Sequence, residues 1–522
     1  MSEDEKKNLE PYLTKIAKGA GIIFAGSLIG RAVGFLTRVI IARGLGPSAY
    51  GVISIGFALI SVFVMIPLLG FTHGGIVRFI SMYKGKEDKR AIKGTIHSSF
   101  RLPIPLSIGV GLILFFLSGW ISHNLFSEPA LIPVLKVFGI GLPILVVLRI
   151  LINLLAGFQR MDYKVYSRKI TQYFSRTALV YISVSLGLGV FAVAISYVIA
   201  TIFAALVAFY FIQKKVFPIV GDDIEPKSLT RKLILYSWPL LLTGYLGFVN
   251  GWVDRLLLGY FMTSTDVGFY NAAYPTAKLL TFATTPFASI FVPVLSEMYG
   301  KNLKGSMEKI YQTVTKWVLM LLIPGVVFLF LFPNGVLKVL YGTEYTVAST
   351  SLRILAFGIF LSPTILFFTS RGTLKTVGKT KIVMLTTLIT AGLNVFLNYF
   401  LIPLYGIEGA AYATSLSFVC GGVFAGFMTV KKTGFFPFAW KETSLIVLSG
   451  LSSALSVFFI STWIDGGIII LALYGVTIAL VHFSLIAILG VFDENDLAIL
   501  SALERKIGFK LGFIRKIMEK SL

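Results

Sequence analysis

Five charged residues lie inside long apolar stretches of the sequence, where a charge is costly unless it serves a purpose. Arg31 and Arg38 lie in the first stretch, Asp254 and Arg255 in the seventh, and Lys278 in the eighth. Ionisable groups within a bilayer are rare and by default mark a functional site. Four cations against one acid leave a positive excess that predicts a cavity for an anion. Phosphate or diphosphate suits guanidinium forks and an ammonium group.

Three polar side chains accompany these charges. Asn250 precedes Asp254 by about one helical turn, and Asn271, Tyr274 and Lys278 follow one another at spacings of three and then four residues. Such spacings place the side chains on one face of a helix. We interpret the three polar residues, together with the four cations, as substrate-binding residues. The alternative interpretation is that the charged residues form ion pairs that hold helices together and bind no substrate.

Asp254 is the candidate for coupling transport to an ion. It is the one acid placed well inside these stretches, so H⁺ and Na⁺ are both open as coupling ions. Adjacent helical residues point about 100° apart. We therefore expect Asp254 to face away from Arg255 and to pair with Arg38 or Lys278.

Other cations lie where a long side chain could reach the membrane surface. Seven are expected to do so: Arg43, Arg78, Arg101, Lys136, Arg176, Lys316 and Arg353. Arg149 and Asn153 form a weaker candidate pair on the fourth apolar stretch.

The sequence offers no constellation for catalysis or metal binding. The four histidines are scattered without ligand spacing: His73, His97, His123 and His482. The single cysteine, Cys420, lies in an apolar run. The segment 372–380 resembles a phosphate loop, but its glycines are separated by one residue too many. We expect no enzyme activity, no cofactor and no bound metal.

Composition defines the elements that must position these residues. The chain has 522 residues, of which 56% are hydrophobic and 14% charged; its mean hydropathy is +0.85. Soluble proteins carry about a quarter charged residues, and in lipid long apolar runs must be helical. We predict fourteen transmembrane helices, at 17–43, 48–80, 91–117, 130–156, 169–188, 191–213, 232–260, 266–299, 307–332, 349–377, 380–402, 409–430, 441–463 and 466–490.

The distribution of Lys and Arg predicts the orientation. Of the 47 such residues, 34 lie in the termini and the even-numbered connections, whereas the odd-numbered connections hold only Lys338. Positive charge accumulates on the cytoplasmic side, so both termini are expected there. The net charge of +23 is then mostly membrane-surface charge and requires no nucleic-acid partner.

Residues of two halves match at an offset of about 217 positions, as Arg38 matches Arg255 and Gly51 matches Gly268. Two parallel six-helix repeats around a central cavity, followed by two further helices, are the predicted architecture, typical of a transporter. The predicted limits are a cytoplasmic segment 1–16, an N-terminal lobe 17–215, a linker 216–231, a C-terminal lobe 232–432, helices thirteen and fourteen at 441–490, and a tail 493–522. The tail alternates apolar and basic residues at helical spacing, which favours a helix on the inner membrane surface.

Five segments, in order along the chain, resemble a known family. They are Leu45–Gly51 (LGPSAYG), Asp254–Gly259, Val267–Tyr274, Asn394–Asn398 and Ile402–Ala411. They are similar to the signatures of the Wzx-type flippases, the polysaccharide transporter branch of the multidrug/oligosaccharidyl-lipid/polysaccharide exporter superfamily.

The resemblance implies two six-helix lobes around a cavity and movement of a polyprenyl (di)phosphate-linked oligosaccharide from the cytoplasmic to the outer leaflet by alternating access. It also implies cations on the first, seventh and eighth helices that meet the lipid phosphate. Arg31, Arg38, Arg255 and Lys278 match that role by helix and depth. We expect a monomer in the cell membrane, with the lipid-linked glycan and membrane lipids as partners.

Three alternatives are weighed against this expectation. A multidrug or cation antiporter of the same superfamily would need carboxylates in its cavity, and the candidate set has one against four cations. A major-facilitator carrier would carry a Gly/Asp/Arg signature in its second connection, which 83–90 lacks. A membrane glycan polymerase or ligase would need a large outer surface, yet the longest outer connection is about 333–348.

Overall fold

The computed structural model describes residues 3–221, 223–284, 287, 291–361, 368–461, 467–493, 496, 497, 512 and 515, and only the backbone at 3–24, 283 and 368. These residues are almost all helical, and among them no β-strand occurs. An apolar chain in lipid can satisfy its backbone polar groups only within helices or closed barrels. The all-helical class predicted from the sequence is confirmed.

The chain forms two compact units, Met1–Asn271 and Ala272–Leu522. Eleven helices begin in the first unit: α1 (Glu3–Phe63), α2 (Met65–Leu68), α3 (Gly75–Gly85), α4 (Lys89–Arg101), α5 (Pro103–Trp120), α6 (Leu131–Gly157), α7 (Met161–Val165), α8 (Gln172–Ser185), α9 (Gly189–Phe211), α10 (Thr230–Phe261) and α11 (Ser264–Lys278). The described part of the second unit continues with α12 (Phe291–Gly300), α13 (Lys304–Leu331), α14 (Pro333–Leu340), α15 (Ser349–Leu361), α16 (Phe368–Thr376), α17 (Thr380–Thr433), α18 (Trp440–Ser461) and α19 (Ile468–Ile488).

In the described part of the chain, nine helical segments are long and apolar enough to cross a membrane. Two of them contain a break, because Gly46 in α1 has φ 79° and ψ 176° and Gly406 in α17 has φ 55° and ψ −128°. Glycine adopts such positive φ values without steric cost, so the chain turns there between two helices. The total of fourteen crossings and their orientation remain predictions.

In the first unit, α1 packs against α6, α8 and α10, while α6 packs against α5 and α9. Gly111 of α5 and Gly139 of α6 lie directly against one another's carbonyl groups, since small residues let helix backbones approach closely. Helix α10 packs against α1, α3 and α4. The compact unit therefore extends beyond 215, the predicted end of the N-terminal lobe.

In the second unit, α13 packs against α15, α18 and α19. Its Lys316 was expected to reach the membrane surface, and that expectation is wrong, because the side chain is 3% exposed. Lys316 Nζ lies 2.5 Å from Asp496 Oδ2 and 3.1 Å from Asp493 Oδ2, and Trp317 donates to Asp496 Oδ1 at 2.7 Å. The start of the tail is thereby fixed to α13. The predicted tail helix lies almost wholly outside the described residues.

Candidate functional site

Helix α1 runs parallel to α7 and α8 along a stripe of glycines. The contacting pairs are Gly26 with Val165, Gly30 with Lys169, Gly34 with Tyr173, and Gly44 with Val184. A Cβ at Gly30 would lie 2.8 Å from Lys169 Cδ, and one at Gly34 would lie 2.9 Å from Tyr173 Cε1. Because these positions have no side chain, Lys169 and Tyr173 extend over the surface of α1.

Five cations gather where these helices meet: Arg31, Arg38, Arg168, Lys169 and Arg176. The charges of Arg31, Arg168 and Arg176 all act on Lys169, and Arg38 belongs to the same electrostatic neighbourhood. Arg31 is exposed, whereas Arg38, Lys169 and Arg176 are half-buried. We call these five residues the cation cluster.

Two tyrosines hold the cluster's most enclosed guanidinium. Arg176 Cζ lies 4.4 Å from the ring centroid of Tyr173 and 4.8 Å from that of Tyr197 on α9. Lys169 Nζ lies 5.2 Å from the Tyr173 ring. Cations over aromatic faces are attracted by the ring quadrupole. The buried Nε of Arg176 has no hydrogen-bond partner among the described residues, so this donor is available to a ligand. Whether the half-buried side chain of Arg176 also reaches the membrane surface stays a prediction.

The stretches of sequence around the cluster residues contain no acid to neutralise them. Asp and Glu are absent from 11–86 and from 163–221. Just before the second stretch, Asp162 Oδ2 accepts a hydrogen bond from Arg160 Nη2 at 2.7 Å, which lowers the pKa of Asp162. An anion that entered the cluster would therefore meet positive charge without competition from carboxylates of these two stretches.

Two further basic residues, Arg149 and Lys164, lie near the cation cluster. Arg149 on α6 lies in the field of Arg168. On the short helix α7, burial lowers the pKa of Lys164, and the nearby charges of Arg168 and Lys169 lower it further. A bound anion would oppose that repulsion and favour the protonated form of Lys164. The arrangement is thus suited to a ligand with more than one negative charge.

A second polar group surrounds Arg255 on α10. Its Nη1 donates to the Gly251 carbonyl at 2.7 Å and to Asp254 Oδ1 at 3.0 Å, and its Nε donates to Asn271 Oδ1 at 2.9 Å. Tyr270 donates to Asp254 Oδ2 at 2.8 Å. The side chains of Arg255 and Asp254 are only 3% and 6% exposed. We call Asp254, Arg255, Tyr270 and Asn271 the paired network.

The paired network continues into the second half of α1. Asn271 Nδ2 donates to Ser54 Oγ at 2.6 Å, and Tyr50 donates to the Asn271 carbonyl at 3.1 Å. Ser54 in turn donates to the Tyr50 carbonyl at 2.6 Å. Asn271 therefore uses its side chain and its backbone to join α11 to α1.

The expectation that Asp254 faces away from Arg255 is wrong. The Cα–Cβ bonds of adjacent residues do diverge on a helix, but an arginine side chain is long enough to fold back toward the preceding turn. Here the guanidinium reaches the carbonyl of Gly251 and the carboxylate of Asp254 together. The acid and its neighbour form one neutral pair.

The other predicted substrate residues are Asn250, Tyr274 and Lys278. Asn250 is half-buried on α10, and its Oδ1 is buried without a hydrogen-bond partner in the part of the chain that the structure describes. In the second unit, Tyr274 is buried and Lys278 exposed, with Lys278 Nζ 5.3 Å from the Tyr274 ring. The structure thus brings together Asp254, Arg255 and Asn271, and places Arg31 and Arg38 in the cation cluster.

The cluster residues Lys169 and Arg176 were missed in the sequence. Lys169 was counted with a cytoplasmic connection, and Arg176 was attributed to a helix end. Two signals were present: the acid-free stretches, and the repetition of Lys169, Tyr173 and Arg176 at spacings of four and three residues. That spacing places all three on one face of a helix.

The contact between α1 and α11 is nearly symmetric. Gly51 lies directly against the Ser264 carbonyl, and Gly268 lies directly against the Pro47 carbonyl. The hydroxyl groups of Ser48 and Ser264 are 3.2 Å apart. Positions 264 and 268 lie 217 residues after Pro47 and Gly51. The hydrogen-bonded residues Ser54 and Asn271 are separated by the same 217 positions. Equivalent positions of the two predicted repeats therefore touch each other, as around a two-fold axis.

Membrane-length helices with positive charge enclosed among them define a multi-pass membrane protein of the transporter class. The chain belongs to the polysaccharide biosynthesis protein family, whose model matches residues 16–299, and with it to the multidrug/oligosaccharidyl-lipid/polysaccharide exporter superfamily. The MatE family model matches residues 239–400. The family predicted from the sequence motifs is confirmed.

Relatives cover most of the chain. An uncharacterised membrane protein of Methanocaldococcus jannaschii is 25% identical over 92% of this chain and 96% of its own length. The putative O-antigen transporter of Shigella flexneri is 24% identical over 75% of this chain and 93% of its own. A solved structure of the lipid II flippase MurJ in an inward closed conformation is similar in fold, with a TM-score of 0.70 at 16% identity over 89% of this chain and 98% of that one.

Proposed function

We propose that the protein is a flippase that moves a polyprenyl (di)phosphate-linked oligosaccharide from the cytoplasmic to the outer leaflet of the cell membrane. The cation cluster holds the phosphate head group while the lipid tail stays in the bilayer. The relatives named as a lipid II flippase and an O-antigen transporter support this substrate class. It acts as a carrier rather than an enzyme.

The observation that carries the proposal is the acid-free cation cluster. Arg31, Arg38, Lys169 and Arg176 converge from two helices without a carboxylate on either beyond Glu10. Charge-assisted hydrogen bonds from guanidinium groups to phosphate are among the strong ones. The rings of Tyr173 and Tyr197 add flat apolar faces beside the guanidinium of Arg176, which suits the sugar next to the phosphate.

The remaining predicted residues take two roles. We assign Arg255 and Asn271 to closing the contact between α1 and α11, because their polar atoms are engaged within the protein. Asn250, Tyr274 and Lys278 are retained as contacts to the substrate. Alternating access would part the two-fold related segments around Gly51 and Gly268 and then rejoin them.

The driving force follows from the charge of the substrate. Outward movement of an anion from a negative interior is favoured by about 2.3 kcal/mol per charge per 100 mV. Both carboxylate oxygens of Asp254 accept hydrogen bonds within the protein, from Arg255 and Tyr270, which weakens its candidacy as the site of a coupling ion. We therefore propose the membrane potential as the driving force of a monomeric carrier.

The test is transport of a fluorescent polyprenyl-diphosphate-linked sugar in proteoliposomes, followed by quenching from outside. Arg38→Glu and Arg176→Glu are each expected to abolish transport with normal insertion. The matched control is Arg78→Glu, because Arg78 lies outside the cluster, over the ring of Tyr236. Wild-type transport by both cluster variants would overturn the proposal.

A multidrug antiporter is the second candidate, favoured by the MatE match at 239–400. It predicts extrusion of a cationic dye such as ethidium, lost when a carboxylate is removed. The same proteoliposomes distinguish the two functions, since the flippase proposal predicts no ethidium movement and full dependence on Arg38 and Arg176.

A further inference from the structure

A cleft of about 460 Å³ opens beside the end of α4 and the start of α10, apart from the cation cluster. Arg101, the last residue of α4, and Arg231, in the first turn of α10, line it together with Ser228. The start of α10 follows the connection 214–232, which is rich in Lys and Arg, and this connection contacts Arg90 of the basic stretch 84–93. Basic connections accumulate on the cytoplasmic side, so we place the cleft toward the cytoplasmic boundary of the membrane.

The walls of the cleft are held firmly together. The backbone N–H of Lys227 donates to the Arg90 carbonyl at 3.1 Å, and Thr230 donates to Ser98 Oγ at 3.0 Å. Gly94 lies directly against the Lys227 carbonyl, where no side chain would fit. The two arginines therefore project from a fixed frame.

The cleft keeps its positive charge. Arg101 and Arg231 are exposed, and among the described residues neither has an ion-pair partner. The nearby carboxylate of Glu225 is engaged by Arg90 Nη2 at 2.7 Å. An anion at the cleft would meet two guanidinium groups.

An apolar track leads from the cleft along α10. Leu235, Trp238 and Leu242 follow one another at spacings of three and four residues, and their exposed fractions are 62%, 64% and 58%. In a membrane-spanning helix, such a stripe faces acyl chains. Leu235 also lines the cleft itself, so the charged end and the apolar track are continuous.

We propose that this cleft binds an anionic phospholipid of the cytoplasmic leaflet, with the phosphodiester between Arg101 and Arg231 and the acyl chains along Leu235, Trp238 and Leu242. Guanidinium pairs suit phosphate oxygens, and anionic lipids are concentrated at the cytoplasmic surface. A zwitterionic head group carries its own ammonium and is a poorer match for two arginines.

The reporter for the test is Trp238, which lies on the track. A variant keeps Trp238 and replaces the other five tryptophans by Phe: Trp120, Trp252, Trp317, Trp440 and Trp463. The full-length protein is placed in vesicles that mix phosphatidylcholine with brominated phosphatidylglycerol or brominated phosphatidylcholine. Quenching of Trp238 gives the relative affinity of the two lipids.

We expect an approximately fivefold preference for phosphatidylglycerol, consistent with attraction of the order of that estimated for each basic residue near an anionic surface. Arg101→Gln/Arg231→Gln should bring the ratio to about one. The matched control, Lys431→Gln/Lys432→Gln at the exposed end of α17, should keep the preference, which excludes a general effect of net charge.

Equal affinities for the two lipids in the protein with Trp238 as its single tryptophan would overturn the proposal. So would an equal loss of the preference in both double variants.

A second experiment adds undecaprenyl phosphate to the same vesicles. If it displaces the quencher from Trp238 at one-tenth of the phosphatidylglycerol content, the cleft belongs to the path of the transported lipid and the proposal is wrong.

Discussion

The cation cluster and the paired network each contain an arginine within an apolar stretch of the sequence, but the two regions differ in the structure. In the paired network, the guanidinium of Arg255 is 3% exposed and lies against Asp254, Asn271 and a backbone carbonyl. In the cation cluster, Arg176 has a buried Nε without a partner among the described residues and no acid on its own helix. One arginine is engaged by the protein, and the other can be engaged by a ligand.

The difference shows how buried charge divides between structure and function. A buried ion pair is neutral, and removing one partner costs several kcal/mol, so we assign Asp254 and Arg255 to closing the contact between α1 and α11. A group of like charges is unfavourable until a counter-ion binds. The cation cluster therefore gains free energy from binding an anion, whereas the paired network already contains its own carboxylate.

Cross-linking is expected to have the largest effect on transport, because a cross-link blocks any region that must open during transport. In a Cys420→Ser background, Ser48→Cys/Ser264→Cys joins the α1–α11 contact, where the hydroxyl groups are 3.2 Å apart. Oxidation should abolish transport and reduction should restore it, since alternating access separates these segments. The control, Thr37→Cys/Thr177→Cys, joins α1 to α8 beside the cation cluster, where the hydroxyl groups are 2.7 Å apart.

The oxidised control pair is expected to transport normally, because the proposed movement parts α1 from α11 and leaves α1 packed on α8. Loss of transport in both oxidised proteins would show that the cluster region must open too, and the distinction between the two regions would fail.

Removal of the buried acid gives the next largest effect. Asp254→Asn leaves Arg255 charged and without its carboxylate, which should destabilise the protein by about 3–5 kcal/mol. Thermal unfolding in detergent measures it. Asp162→Asn is the matched control, since its partner Arg160 is about one-third exposed and exposed pairs contribute about 0–1 kcal/mol. Equal melting temperatures for Asp254→Asn and the unmodified protein would contradict the assignment.

The fold class could be predicted from the sequence because lipid permits few alternatives. Apolar runs predict helices regardless of side-chain detail, and the motif Leu45–Gly51 indicated the family. The breaks between helices were harder to predict. Gly46 and Gly406 each turn the chain through a single positive φ value, but in the sequence they look like any other glycine in an apolar run.

The site was predicted only in part. Sequence position placed Arg38 and Arg255 at equivalent depths of the two repeats, and equivalence suggested a shared role. The two regions differ in burial and in hydrogen-bond partners, which depend on how far each side chain reaches. Arg255 folds back to Asp254, while Arg176 of the cation cluster lies between Tyr173 and Tyr197. Periodicity gives the face of a helix, but it does not say whether that face meets an acid.

Neutralising the cluster should weaken binding without unfolding the protein. Arg176→Gln removes a charged donor to phosphate, a contact that contributes about 1.5–3 kcal/mol, so affinity for a polyprenyl diphosphate should fall roughly 10- to 100-fold. Microscale thermophoresis measures the affinity and thermal unfolding the stability. Arg160→Gln, which loses a partly exposed pair with Asp162, should keep the affinity. A large fall in melting temperature for Arg176→Gln would place Arg176 with the structural residues.

The smallest expected effect compares two tyrosines of the same region. Tyr270 donates to the charged Asp254 Oδ2 at 2.8 Å, whereas Tyr50 donates to the neutral Asn271 carbonyl at 3.1 Å. Both side chains are buried, so Phe replaces each with nearly the same volume. Hydrogen bonds to charged groups contribute about 1.5–3 kcal/mol and neutral ones about 0.5–1.5. Tyr270→Phe should therefore destabilise the protein by about 1 kcal/mol more than Tyr50→Phe in thermal unfolding. The opposite order would mean that the carboxylate of Asp254 is satisfied without Tyr270, and that the strength of the paired network lies in the backbone contact between α1 and α11.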